Sequence, residues 1–124
     1  MSDEKVSILI VDDELDLLEM YRELFEMDGF QVYTACSAVE GMETYKNHTN
    51  IRLIISDSNM GDMSGIDFLK QLKASYSTIP VFYLSTGAFE QNEDYIKSIG
   101  GHGLVLKPFD LDEIINKIKK DLNL

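Results

Sequence analysis

The stretch ILIVDDELD at residues 8–16 runs four apolar residues straight into Asp12, Asp13, Glu14 and Asp16. An unbroken apolar run of this kind is what a strand covered on both faces needs, so it predicts a central strand of a parallel sheet. A knot of like charges at the end of such a strand repels itself unless something positive sits there. What neutralises that knot decides what the protein does.

Outward from this strand the pattern alternates. β-rich runs recur at 6–11, 30–35, 51–56, 79–84 and 103–106, and segments with helical spacing lie between them. Residues 14–27 carry Leu17, Leu18, Tyr21, Leu24 and Phe25 on one stripe, and Gly29 stops the helix. In 37–47, Ser37 with Glu40 reads as a capping box, with Val39, Met42 and Tyr45 turned inward. Residues 65–74 bury Ile66, Leu69 and Leu72, and 89–99 bury Phe89, Tyr95, Ile96 and Ile99. Asp110 and Glu113 open a last helix that buries Leu111, Ile114, Ile115, Ile118 and Leu122. Each helix is long enough for a right-handed crossover. The expected fold is α/β: a doubly wound (βα)5, flavodoxin-like three-layer sandwich around a five-stranded parallel sheet. The neighbourhoods of Tyr33–Ala35 and Gly100–Gly103 read as its weaker, peripheral strands.

Composition narrows the function. A chain of 124 residues with no repeat or linker is expected to be one domain over 1–124. Cys36 is the single cysteine, which excludes an internal disulfide and is read as a small core residue. The start is polar and acidic and the apolar runs are too short to span a bilayer, so a cytoplasmic protein is expected. The formal charge is −11, and it is uneven: residues 1–30 hold ten acids against only Lys5 and Arg22. With no basic stripe to meet phosphates, direct nucleic-acid binding is disfavoured. A divalent cation or a basic protein surface suits the acidic half.

Ligands of an open parallel sheet bind beyond the C-terminal ends of its strands. Those ends carry Asp12 and Asp13 on the first strand, Asp57 on the third, Ser85 and Thr86 on the fourth, and Lys107 on the fifth. Any one of these alone would read as a helix cap or a surface charge. Together they place three carboxylates, a hydroxyl pair and an ammonium at one sheet edge. Asp12, Asp13 and Asp57 form an oxygen-rich set that calls for a hard cation, and Mg²⁺ fits. His48 and His102 lie away from the cluster and are not read as ligands. Lys107, following LVL and followed by Pro108, can pair with Asp57 or with an anion that Asp57 acquires. An aspartate beside a metal and a lysine can attack a phosphoryl group, with Ser85 placed to hydrogen-bond one of its oxygens.

ILIVDDE at 8–14, DSNMGDMSG at 57–65, LSTG at 84–87 and KPF at 107–109, in this order, resemble the receiver domain of two-component response regulators. The likeness is to the single-domain, chemotaxis-type form and covers essentially the whole chain. It implies that Asp57 is phosphorylated from a phosphohistidine, and in some members from small phosphodonors. It also implies that Asp12 and Asp13 hold Mg²⁺ directly or through water, with the backbone carbonyl of Asn59 as a further ligand. Ser85 is then the switch hydroxyl and Lys107 contacts the phosphoryl group, with a cis peptide bond before Pro108. Members catalyse their own phosphorylation and dephosphorylation, and the Asn59 amide goes with quicker hydrolysis.

Three departures from the family pattern stand out. Met60–Gly61 replaces the usual Met-Pro and loosens the start of the following loop. Thr86 replaces a small residue after the switch hydroxyl and crowds the entry to the site. Leu104 replaces the aromatic that many members carry three residues before the lysine, so an aromatic rotamer switch is not available there. Gly87 gives the loop after Ser85 freedom to move. Readout is expected through the surface of the fourth helix, fifth strand and fifth helix, as a monomer or a weak phosphorylation-dependent dimer. The partners implied are a sensor histidine kinase or histidine phosphotransfer protein upstream. Downstream, the partner is a docking protein, a phosphotransfer protein or an output domain of a longer parent.

Three other readings compete. A receiver fold used as a phosphate-independent interaction module does not need Asp12, Asp13, Asp57, Ser85 and Lys107 together. A flavodoxin-like cofactor binder wants a Ser/Thr/Gly-rich loop after the first strand, and VDDELD is the opposite. An aspartyl-nucleophile phosphatase would use Asp12 with Glu14, and the chain is short for that class's usual cap.

Overall fold

The computed structural model describes residues 5–87, 93–107 and 110–124. The chain alternates strand and helix five times: β1 (Ser7–Val11), α1 (Leu15–Met27), β2 (Gln31–Ala35), α2 (Ala38–Asn47), β3 (Leu53–Asp57), α3 (Gly65–Ser75), β4 (Val81–Thr86), α4 (Glu93–Ser98), β5 (Gly103–Leu106) and α5 (Leu111–Leu122). All strand pairs are parallel, in the order β2-β1-β3-β4-β5. The two strands expected to be peripheral, β2 and β5, are the edges. The order reverses between β1 and β3, so the crevice of the sheet opens beside Asp12 and Asp57.

Alternation along the strands assigns side chains to two cores. Ile8, Ile10, Leu53, Ile55 and Tyr83 pack against Leu18, Tyr21 and Phe25 of α1 and Ile114, Ile115 and Ile118 of α5. Leu9, Val11, Ile54, Phe82 and Leu84 pack against α2, α3 and α4 through Tyr45, Phe68, Leu69, Leu72 and Ile96. Each such fully buried side chain contributes about 1.5–3 kcal/mol of hydrophobic stabilisation, and this holds the strand ends in fixed register.

Three helix entries carry side-chain caps, two of them at the expected Ser37 and Asp110. The hydroxyls of Ser37 and Ser64 accept the amides of Glu40 and Asp67, each at 3.0 Å, and Asp110 accepts the amide of Glu113 at 3.2 Å. At α2 the reciprocal bond is shifted by one residue: Glu40 accepts the N–H of Cys36, at 2.9 Å, rather than that of Ser37. Cys36 itself is half-buried at the edge of the α1/α5 core.

Two inward assignments are corrected. Val39 is 65% exposed, because α2 faces the sheet through Ala38, Gly41 and Tyr45. A Cβ on Gly41 would already lie 3.1 Å from Phe68 and 3.2 Å from Val11. So close an approach admits small residues and turns Val39 out, while Met42 packs half-buried. Tyr95 is also exposed, with the Lys70 ammonium 5.9 Å from its ring centre, while Ile96 and Ile99 face the core. Phe89 and the peptide before Pro108 lie outside the described residues. Among the described residues no helix is long and apolar enough to cross a membrane.

Candidate functional site

Register builds the site. Val11 pairs with Ser56 and Asp57 pairs with Ser85, so the next pleat beyond Val11 sets Asp12 beside Asp57 and Ser85 in one row. All three follow the parity of Ile10, Ile55 and Tyr83 and therefore lie on the α1/α5 side, one step past that core. Lys107 follows β5 on the same parity, and its backbone N–H donates to the Thr86 carbonyl at 2.9 Å.

The Lys107 ammonium reaches back across the row. It donates to Asp12 Oδ2 at 2.7 Å and to Asp57 Oδ1 at 3.0 Å. Asp57 was the expected partner, whereas the shorter contact to Asp12 is new. Asp12 is buried, and its other oxygen accepts the backbone N–H of Glu14 at 3.0 Å, so part of the opening knot is answered locally. Asp13 is exposed at the rim.

One ammonium does not balance this set. One carboxylate oxygen each from Asp12, Asp13 and Asp57 lie within 4.8 Å of one another. Burial raises the Asp57 carboxyl above its ordinary value and the nearby Asp12 pushes it further, against the opposing pull of Lys107. For Lys107, burial acts to lower the value, but its hydrogen bonds to Asp12 and Asp57 outweigh this and leave it raised. Both directions are consistent, because Lys107 has two carboxylates while Asp57 has half a lysine and a repelling neighbour. The cluster could hold a metal ion. Its donors are all oxygens, as a hard divalent cation prefers.

Ser85 is the other anomaly. Its hydroxyl is buried and has no hydrogen-bond partner among the described residues. A buried, unsatisfied hydroxyl costs about 1–3 kcal/mol, so it calls for a physical reason: strain, a catalytic role, or a bound water or ion. Thr86 beside it is buried, and Gly87 is exposed, with no atom of the other described residues beyond its chain neighbours within 4 Å of where a Cβ would stand. Leu104 is half-buried, and its N–H donates to the Glu93 carboxylate of α4 at 3.0 Å. His48 stacks on Tyr33 at 4.2 Å, and His102 Nδ1 accepts the Phe82 N–H at 3.3 Å; neither joins the acidic cluster.

The loop between β3 and α3 forms one wall. Asn59 is exposed, and its side-chain oxygen accepts the Gly61 N–H at 3.2 Å. Gly61 has φ +86°, a left-handed value that proline cannot adopt. Met60 is buried beneath the loop, where it meets the Ser56 hydroxyl. Sequence patterning assigns no role to Asp62, yet its carboxylate accepts the N–H groups of Ala38 at 3.1 Å and Val39 at 3.0 Å. The sequence signal for it was weak: an acid two residues before a serine cap, serving another helix.

With this geometry in view, the comparisons are consistent. The family model for the response regulator receiver domain matches residues 8–119. Response regulator SaeR of Staphylococcus aureus (strain USA300) is 32% identical over 111 residues, which are 90% of this chain and 48% of that protein. The chain thus spans about half the length of the curated relatives it matches. A CheY-like receiver domain protein from Methanospirillum hungatei JF-1 aligns with TM-score 0.86 and 26% identity, over 97% of this chain and 95% of that one. Vibrio cholerae chemotaxis protein CheY4 aligns with TM-score 0.83 over 94% of this chain and 98% of that one, and at 23% identity it speaks for the fold. Register, acidic cluster and family match agree, and the chain belongs to the response regulator receiver domain family.

Proposed function

We propose that residues 1–124 act as one phosphoacceptor domain in which Asp57 takes a phosphoryl group from the phosphohistidine of a sensor kinase or phosphotransfer protein. The observation that carries this reading is the buried Ser85 hydroxyl, without a hydrogen-bond partner among the described residues, on the residue paired in register with Asp57. A phosphoryl group on Asp57 brings the acceptor oxygens that this hydroxyl lacks.

In the transfer, an Asp57 oxygen forms a bond to phosphorus as the donor's P–N bond breaks. The bonding pair leaves with the imidazole nitrogen, which takes its proton from solvent. Lys107, already 3.0 Å from Asp57, shifts that one hydrogen bond from the Asp57 carboxylate to a phosphoryl oxygen and offsets the added charge. Asp12 keeps Lys107 oriented through the 2.7 Å contact. Mg²⁺ is the cation we assign to Asp12, Asp13, Asp57 and the Asn59 carbonyl, where it would neutralise charge that one lysine leaves over. Hydrolysis by water returns the site to its starting state.

Ser85 then draws toward the phosphoryl oxygens and carries the chain through Thr86 and Gly87 with it. Leu104 stands where an aromatic would otherwise report this movement. Readout therefore runs through backbone shifts of β4, α4 and β5, to a docking partner or to an output domain of a longer parent, in a cytoplasmic setting. A phosphate-independent module has no observation in its favour.

Amide NMR of the full chain tests this reading in two additions. Mg²⁺ alone shifts the amides around Asp13, Asp57 and Asn59. Beryllofluoride, a phosphoryl mimic, then shifts Ser85 and Thr86. Silence at Ser85 after both additions contradicts the proposed use of its hydroxyl.

A further inference from the structure

The first N–H groups of a helix have no partner inside it. At α2, Ser37 takes the amide of Glu40, and the amides of Ala38 and Val39 go to a residue more than twenty positions away in sequence. Asp62 binds them as a fork, Oδ1 to Ala38 and Oδ2 to Val39, and Oδ1 also accepts the N–H of Met63 at 3.0 Å. One carboxylate thus rivets the β3–α3 loop to the neighbouring helix on the same face of the sheet.

That loop carries its own tie, the Met60 N–H donating to the Met63 carbonyl at 3.2 Å, and Asp62 adds one outside it. The loop passes over the acidic cluster, with a Cβ on Gly61 placed 3.9 Å from Asp13 Oδ2. Met60 holds its start in the core, and the Gly65 N–H holds its end on the Ser58 carbonyl at 2.9 Å. Between them lies Gly61, the most permissive residue available, at φ +86°. The family pattern gains stiffness at that position from proline, and this chain gains it one residue later from Asp62.

We propose that Asp62 is a positioning residue: by clamping α2 it fixes the β3–α3 loop and with it the Asn59 carbonyl at the metal site. This rests on the functional reading above, in which that carbonyl is a Mg²⁺ ligand. Asp62 touches neither cation nor phosphoryl group. It acts through the loop, as partners of metal ligands commonly do.

The rival explanation is a plain helix cap, and Ser37→Ala separates the two. It strips a bond from the same helix end without touching the loop. Mg²⁺ alone is titrated into wild type, Asp62→Ala, Asp62→Asn and Ser37→Ala, reading the amide shifts of Asp13 and Met60, with thermal unfolding measured alongside. Asp62→Ala is expected to weaken Mg²⁺ about tenfold. Asp62→Asn, which can accept with one oxygen only, is expected to fall short of wild type too. Ser37→Ala is expected to lower Tm while keeping wild-type Mg²⁺ affinity. Wild-type affinity in Asp62→Ala overturns the proposal, as does equal weakening in Ser37→Ala, which would route the effect through α2 stability. A wild type that ignores Mg²⁺ overturns the functional reading itself and this proposal with it.

Discussion

Asp57 is held by opposed influences, and their balance makes a prediction at the scale of one residue. Burial and the nearby Asp12 carboxylate disfavour its charge, and Lys107 favours it. Neutralising Asp57 does not strand the lysine, because Asp12 still holds it at 2.7 Å. It does end a repulsion between carboxylates. We therefore expect Asp57→Asn to be more stable than wild type by about 1 kcal/mol in urea without divalent cations. The sign narrows or reverses in saturating Mg²⁺, since a cation that binds only the folded wild type stabilises it by mass action. A variant less stable than wild type under chelating conditions would mean that the Lys107 pair outweighs the repulsion. A more stable Asp57→Asn would show that the site stores a small destabilisation which the fold tolerates.

At the scale of elements, α3 starts in direct contact with the site. Its first residue, Gly65, sits against the backbone of the proposed phosphoacceptor. A Cβ there would lie 2.3 Å from the Asp57 carbonyl oxygen and 2.4 Å from the Leu84 side chain. Neither can yield cheaply, since one is strand backbone and the other core. Gly65→Ala should cost about 2–3 kcal/mol, seen as a lower urea midpoint at unchanged slope. It should also displace Asp57 from its row with Ser85. A wild-type midpoint would show that α3 can back away from the sheet. By contrast α2 approaches through Ala38 and Gly41, and α4 presents Ile96 and Ile99, which is why Val39 and Tyr95 stand outside. Helical periodicity finds a stripe, but it does not say which of two adjacent stripes a close approach will accept.

At the scale of the molecule, the apolar run of 8–11 and its alternation with helical segments sufficed to place five strands, and every strand and helix among the described residues lies within a few positions of its expected place. Placing Asp12, Asp57, Ser85 and Lys107 at one edge needed only strand ends and the crevice rule, because parity and register do the rest. Contacts that join distant loops were not legible. Nothing in the string pairs Asp62 with Ala38 and Val39, since no period links a loop acid to another helix's amides. The Lys107–Asp12 contact was hidden for a similar reason, as its length and angle depend on how β5 sits at the sheet edge. The orphaned Ser85 hydroxyl is also a property of packing, visible only once its neighbours are counted.

If this edge makes Asp57 a phosphoacceptor, the adduct can be weighed. The direct measurement is the intact mass of wild type and Asp57→Asn after incubation with Mg²⁺ and a small acyl phosphate donor. One added phosphoryl group is expected on wild type, lost when the metal is chelated and never formed on Asp57→Asn. An adduct that Asp57→Asn retains, or one indifferent to chelation, would contradict this role of Asp57.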